Sequence, residues 1–541
     1  MMQSALAESR YFDRLYIRQP KVWLSALLLI YLLLAANFAL YTPRWQAPDE
    51  PAHYNYIAHI AEQGGLPVLQ MGDYNQGLLG LLQRTGFQSE PLVGRLRYES
   101  YQPPLYYLLA TPVYWVSEGS LLALRLFNVV LGAVTLALMV RSLELVFGGK
   151  PLITVSATAF AALLPMHVAL TAAVNNDVLA ELLVMLSLLL LLQWMRHRFS
   201  EQGLPPKKER RQLLALGIAL GLGLLTKIYG YALLPVCLAT IVAVVWRRSG
   251  AQPLHALQKA LWVAGPAILL GLPWWVRNWV IYGPGDILGT IWHDQVVLGQ
   301  PRTVDWIAEN GFEPYLERGL SLTFRSFWGV FGWLGIFLDE RIYTAFLLFS
   351  GVIFLGVLWA LVRLISGGPD MDMDDFQLWV LALFGFVLLA VAGGYVWYNL
   401  KFVQHQGRYL LWGLLPLSTY VALGWREVLR PFQGLITAIL ACVLAFSLGL
   451  ISYMSDKIDR WTVTIVLASA LFLLCQPLLL IGVQSDVGHW FRRLGHLERP
   501  RWLIDGAALA RSVAWATPFL LLALLDWLIP ALYILPQLAG S

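Results

Sequence analysis

Residues 22–54 read VWLSALLLIYLLLAANFALYTPRWQAPDEPAHY: a twenty-residue uncharged run, then a short polar segment carrying two adjacent acids, Asp49 and Glu50. Twenty helical residues rise about 30 Å, the thickness of a bilayer's hydrocarbon core. Arg10, Arg14, Arg18 and Lys21 precede the run. It is longer than a signal-peptide core and lacks a small-residue cleavage site, so it reads as a retained signal anchor with a cytoplasmic amino terminus.

Working outward, the same pattern recurs. Of 541 residues 58% are hydrophobic and 13% charged, about half the charge of a soluble domain. Apolar runs at 22–41, 121–146, 152–171, 177–195, 212–227, 229–246, 258–281, 342–363, 376–397, 408–424, 433–453, 461–482 and 513–536 predict an all-α integral membrane protein with thirteen transmembrane helices. The 23 Trp and 23 Tyr suit interfacial belts. The net charge of +5 sets topology and does not indicate a nucleic-acid partner. Cys237, Cys442 and Cys475 lie in apolar segments, so no disulfide or zinc framework is present.

Residues 104–118 are apolar but short, and Pro103, Pro104 and Pro112 interrupt them. If they crossed, Arg196, Arg198, Lys207, Lys208, Arg210 and Arg211 would face outward. Placed in the interface as a juxtamembrane helix or hairpin, they leave that run cytoplasmic together with Arg247, Arg248, Arg492, Arg493, Arg499 and Arg501, as the positive-inside rule favours. The run Asp370, Asp372, Asp374 and Asp375 is then a solvated cytoplasmic loop. Two large outer loops result, 42–120 and 282–341. The chain divides into a module 1–281 that includes loop 42–120, the second loop 282–341, and a transmembrane module 342–541.

The first chemical candidate is Ala47-Pro48-Asp49-Glu50-Pro51-Ala52-His53-Tyr54. Pro51 suits the first turn of a helix and Gly64-Gly65 its end, which puts both acids at a helix start where free N–H groups favour carboxylates. Either acid could simply cap the helix. Either could also be a general base, ionised and positioned at the membrane surface. The second candidate is Tyr98-Glu99-Ser100-Tyr101-Gln102-Pro103-Pro104-Leu105, which by itself says only interfacial segment.

An acidic pair after the first span, followed by an acid before Pro-Pro-Leu, resembles the GT-C glycosyltransferases, with the protein mannosyltransferase and aminoarabinose transferase group most similar. Arg125-Leu126-Phe127-Asn128, Asn175-Asn176-Asp177 and Leu225-Thr226-Lys227 continue the likeness. So do Pro273-Trp274-Trp275-Val276-Arg277-Asn278, Ser326-Phe327-Trp328-Gly329-Val330-Phe331-Gly332-Trp333 and Gln406-Gly407-Arg408-Tyr409-Leu410, which also resemble a bacterial membrane-protein family of unassigned function. The likeness spans about residues 20–425. The chain departs from the mannosyltransferase pattern at Gln102, where His is usual, and at Asn175-Asn176, where many have Ser-Arg. Both departures bear on sugar and acceptor more than on reaction class.

The resemblance implies an extracytoplasmic active site in a multi-pass plasma (inner) membrane protein. It implies Asp49 and Glu50 as catalytic acids and His53, Glu99, Gln102, Asp177, Lys227, Arg277, His405 and Arg408 as substrate contacts. The donor would be a polyprenyl-phosphate sugar. The acceptor would be a hydroxyl of a glycan, lipid or protein, attacked with inversion. Cations at helix ends fit a phosphate, though each could snorkel to the interface. No cofactor is established; a divalent cation at Asp49 and Asp177 is compatible with the residues. An O-antigen ligase or polymerase would centre on a later Arg-rich outer loop. A transporter or flippase would show repeated halves or mid-span charges. Neither pattern is visible.

Overall fold

The computed structural model describes residues 12–201, 203–250, 252–366, 373–455, 459–475 and 501–538. In chain order the elements that matter are α1 (Pro20–Tyr41), α2 (Glu50–Gln63), α3 (Leu105–Val116), α4 (Leu121–Phe147), α5 (Pro151–Ala162), α6 (Pro165–Thr171), α7 (Asp177–Phe199), α8 (Pro206–Leu224), α9 (Tyr229–Ser249) and α10 (Pro253–Tyr282). They continue with α11 (Phe312–Trp328), α12 (Glu340–Ile365), α13 (Asp375–Asn399), α14 (Leu414–Val428), α15 (Pro431–Ser455), α16 (Arg460–Cys475) and α17 (Arg501–Ile529). A two-stranded antiparallel hairpin pairs Val330 with Phe337 and Phe331 with Ile336.

The all-helical membrane architecture is as the sequence predicts, but the count of thirteen spans is not confirmed. Among the described residues nine helices are long and apolar enough to cross a membrane, ten if one bent pair is a single span. Helix α8 opens on Lys207, Lys208, Glu209, Arg210 and Arg211, which leaves a short uncharged remainder. The span expected at 408–424 divides into a tight turn, Gly407–Gly413, and the 15-residue α14. Helix α16 has 16 residues, and the rest of the expected span 461–482 lies outside the described residues, as do Asp370, Asp372, Arg492, Arg493 and Arg499.

The bent pair is α5 and α6, which meet at 60°. Pro165 starts α6, where its missing N–H costs nothing and the residue before it is steered away from helix. The break frees the Ala161 carbonyl, and His167 Nδ1 donates to it at 2.8 Å. An unsatisfied backbone group in hydrocarbon would cost several kcal/mol, so this bond makes the bend tolerable. Helices α12 and α14 cross closely because both contact residues lack side chains: a Cβ on Gly356 would sit 2.1 Å from the Gly424 carbonyl oxygen.

The first large loop carries the helix expected from Pro51 to Gly64 and the short helix expected within 104–118. Pro51 lies in the first turn of α2, and Gly64 and Gly65 end it with φ of 72° and 74°. Helix α3 has 12 residues, about 18 Å, too short to span. It lies against α2, with the Tyr56 and Tyr107 rings stacked at 3.7 Å and Trp115 Nε1 donating to the Ala61 carbonyl at 3.1 Å. Helix α7 separates two chemical environments by its length: Asp177 begins it, and Arg196 and Arg198 sit in its last turn about 30 Å away.

Candidate active site

At the Asp177 end of the bundle lies a cavity of about 630 Å³, a size suited to a small-molecule substrate. All three stretches of the chain, 1–281, 282–341 and 342–541, line it. Asp49 is the residue before α2 and has φ of 66°, a left-handed value that costs a non-glycine residue about 1–2 kcal/mol. Its side chain makes no capping bond to α2. The carboxylate instead lines the cavity, accepting from Tyr98 Oη at 2.9 Å on Oδ1 and from Arg408 Nη2 at 2.5 Å on Oδ2. Burial alone would raise the Asp49 pKa; the Arg408 charge and the hydrogen bonds from Arg408 and Tyr98 outweigh it, so the group sits below the usual carboxylate range.

A second ion pair faces the same space. Lys227, at the turn between α8 and α9, holds Asp177 Oδ1 at 2.7 Å and donates to Asn176 Oδ1 at 3.0 Å. Asn176 Nδ2 in turn donates to Gln102 Oε1 at 3.3 Å, and Gln102 Nε2 to Tyr101 Oη at 3.2 Å. The two places where the sequence leaves the mannosyltransferase pattern therefore touch: one amide replaces an imidazole and another amide meets it. Nothing in sequence spacing could show that they form one feature.

His53 and Glu99 complete this wall. Burial, then the Lys227 charge, holds His53 down to about 3, so the ring is neutral; its Nδ1 lies 2.9 Å from Tyr107 Oη. Burial, then the Asp49 carboxylate, pushes Glu99 up to about 7. Two carboxyl groups in one cavity thus have opposite shifts, the arrangement by which a site keeps one acid ionised and its neighbour able to carry a proton.

Three expected site residues do not line the cavity. Glu50 has no exposed surface and forms a bidentate pair with Arg125, at 2.8 Å from Nε and 2.6 Å from Nη2, while Val174 N–H also donates to it. Arg125 spends its remaining donors on the carbonyls of Ala39, Thr42 and Pro43. That cluster ties the end of α1 to α4 and to the approach to α7, and it leaves Glu50 no free face for chemistry. Arg277 lies over the Trp274 ring and donates to the Pro67 carbonyl at 2.5 Å, anchoring the first loop. His405 is buried edge-on against Tyr315 at 4.7 Å, and burial, then the Arg318 charge, holds it down to about 4.

Several residues that line the cavity carry no signal in the sequence. Tyr98 and Tyr101 were visible only as interfacial aromatics. His293, Asp294 and Lys401 come from two segments a hundred residues apart, with Lys401 Nζ 2.9 Å from Asp294 Oδ2. The hairpin after α11 puts Trp333 on the cavity rim, where its Nε1 donates to the Trp45 carbonyl at 3.0 Å. Among the described residues no group of three or more His, Cys, Asp or Glu side chains is arranged to hold a metal ion. Asp49 and Asp177, the residues considered for a divalent cation, each hold a cation of the chain itself.

Residues 84–282 match the family model described as Dolichyl-phosphate-mannose-protein mannosyltransferase. No curated protein sequence matches the chain. Among solved structures it is similar to ArnT from Cupriavidus metallidurans, bound to undecaprenyl phosphate at 14% identity and TM-score 0.47, and in the apo state at 15% and 0.48. Each of those comparisons covers 94% of this chain and 76% of the other. It is also similar to the apo oligosaccharyltransferase of Archaeoglobus fulgidus, at 12% identity and TM-score 0.49, covering 94% of this chain and 56% of that one. The stretch matched by the family model contains Glu99, Gln102, Asp177 and Lys227, four of the residues that line the cavity. The likeness to that mannosyltransferase family thus covers residues 84–282 and takes in part of the cavity lining.

Proposed function

We propose that the cavity transfers a sugar from a polyprenyl-phosphate donor to an acceptor hydroxyl on the outer side of the cell membrane. The observation that carries this reading is Asp49, held in a left-handed conformation with its carboxylate turned off its own helix into the cavity, beside a cation. The acceptor oxygen attacks the anomeric carbon and a new C–O bond forms. The bond from that carbon to the phosphate oxygen breaks, and polyprenyl phosphate leaves with the electron pair. The acceptor proton passes to Asp49. One displacement inverts the anomeric centre.

Lys227 and Arg408 are the cations placed to stabilise the leaving phosphate. Arg408 has a second role in this reading. While it holds Asp49 it keeps that carboxylate a weak base; a phosphate that draws the guanidinium away removes the main charge depressing Asp49. The base then strengthens as the donor arrives. Arg277, occupied by Pro67, ties α10 to the first outer loop. The basic residues at the far end of α7 favour a cytoplasmic position for that end and an outer one for the cavity.

The test is transfer by the purified full-length protein in lipid nanodiscs, supplied with undecaprenyl-phosphate sugars and hydroxyl acceptors. Release of undecaprenyl phosphate and a product of inverted anomeric configuration by NMR are expected. A retained configuration, or no release from any such donor, overturns the reading.

A further inference from the structure

The cavity has two polar walls whose cations differ in access to water. Lys227 and Arg408 have side chains 14% and 10% exposed and Lys401 on the other wall 40%, while the acids Asp49 and Asp294 are alike at 24% and 22%. Tyr101 stands between the walls, bonded to Gln102 on one side and with its ring 4.3 Å from His293 on the other. The second wall carries a cation paired with an anion, an imidazole and two amides, Gln404 and Gln406, beside Trp397 and Tyr398. Two buried acceptors that line the cavity, Gln406 Oε1 and Glu99 Oε2, have no donor among the described residues. Buried acceptors of this kind call for O–H or N–H groups on a ligand.

We propose that the wall of His293, Asp294, Lys401, Gln404 and Gln406 binds the acceptor, and that the acceptor is a carbohydrate. The inference rests on the transfer reading above and names the acceptor class it left open. Charge balance, donors and acceptors side by side and adjacent aromatic residues match a polyhydroxylated ring, which offers hydroxyls at its edge and C–H groups on its faces. An extended peptide would be recognised by main-chain pairing. The backbone here is already used: Thr303 N–H donates to the Lys401 carbonyl at 3.1 Å and Val403 N–H to the Pro301 carbonyl at 3.1 Å. A lipid tail has no match on a wall of charged and amide side chains.

The experiment is calorimetric titration of the full chain in nanodiscs with mannotriose, glucotriose and galactotriose, and in parallel with a Ser/Thr-containing peptide. Saturable binding of at least one trisaccharide is expected. Its Kd should rise at least tenfold in Asp294→Asn and Lys401→Met. Gln406→Leu, which changes no charge, should weaken it at least threefold. Monodisperse elution and an unchanged melting temperature show that each variant folds. Binding of the peptide alone, no trisaccharide binding, or trisaccharide binding untouched by all three variants overturns the proposal. Release of undecaprenyl phosphate to water without any acceptor reports on the transfer reading separately, so the two failures are distinguishable.

Discussion

Asp49 and Glu50 are neighbours in sequence and opposites in structure. Glu50 is fully buried, its two oxygens taken by Arg125 and a backbone N–H, in a cluster that joins α1, α4 and the start of α7. Asp49 precedes it by one residue in a left-handed conformation, and that single backbone choice turns its carboxylate the other way, into a cavity. Both acids pair with arginine. The pair that is saturated and closed builds the fold; the pair that faces space can exchange partners. The distinction lies in what surrounds each pair, which the residue type alone does not tell.

The largest effect that could break this comparison is on stability. Arg125→Ala leaves Glu50 buried and uncompensated, and loss of one partner of a buried pair typically costs about 3–5 kcal/mol. Thermal unfolding followed by size-exclusion chromatography should show a large fall in folded yield. An unchanged melting temperature would mean that the Glu50 cluster is not a structural tie.

Arg408→Ala should act on chemistry with less effect on folding. Loss of a charge-assisted contact to the donor phosphate is expected to cost about 1.5–3 kcal/mol, roughly 10–150-fold in donor kcat/KM. Lys should rescue only part of this, because it lacks the planar fork. Unchanged donor kinetics would reduce Arg408 to a partner of Asp49.

Glu99 sharpens the comparison most gently. With its pKa pushed to about 7, ionisation around neutral pH places a second negative charge beside Asp49 and the donor phosphate. Donor KM should therefore rise severalfold on the alkaline side, on the order of 1 kcal/mol, and Glu99→Gln should flatten that limb. The linkage has a matching sign. The folded state binds this proton up to about pH 7, whereas the unfolded chain releases it in the ordinary carboxylate range. The contribution of Glu99 to stability thus falls as pH rises between those limits. A pH profile identical in wild type and Glu99→Gln would remove Glu99 from the site.

Much of the fold was legible because bilayer physics writes it locally. Span length and the proline and glycine that bound α2 are short-range signals, and so is the brevity of α3. The span count was less legible: α8 spends its first turns on charge, and the segment starting at Arg408 begins as a tight turn. Within the site, Asp49, Glu99, Gln102, Asp177, Lys227 and Arg408 could be found at the ends of apolar runs. The wall of His293, Asp294 and Lys401 could not, since it depends on two distant loops meeting. The contact of Gln102 with Asn176 was equally hidden, although each was conspicuous alone. Arg277 and His405 show the converse error: a polar residue at a helix end can serve a carbonyl or a ring and never reach the cavity.

The central claim is that Asp49 performs chemistry while Glu50 holds the scaffold, and it is tested most directly by measuring turnover per folded molecule in Asp49→Asn and Glu50→Gln side by side. Asn keeps the size and the tolerance for a left-handed backbone but cannot take the proton, so Asp49→Asn should fold normally and lose about 10²–10⁴-fold in kcat, the usual range for a general base. Glu50→Gln should unfold more easily, while the molecules that remain folded turn over within a few-fold of wild type. Near-wild-type turnover in Asp49→Asn, with Glu50→Gln inactive in its folded fraction, would contradict the account.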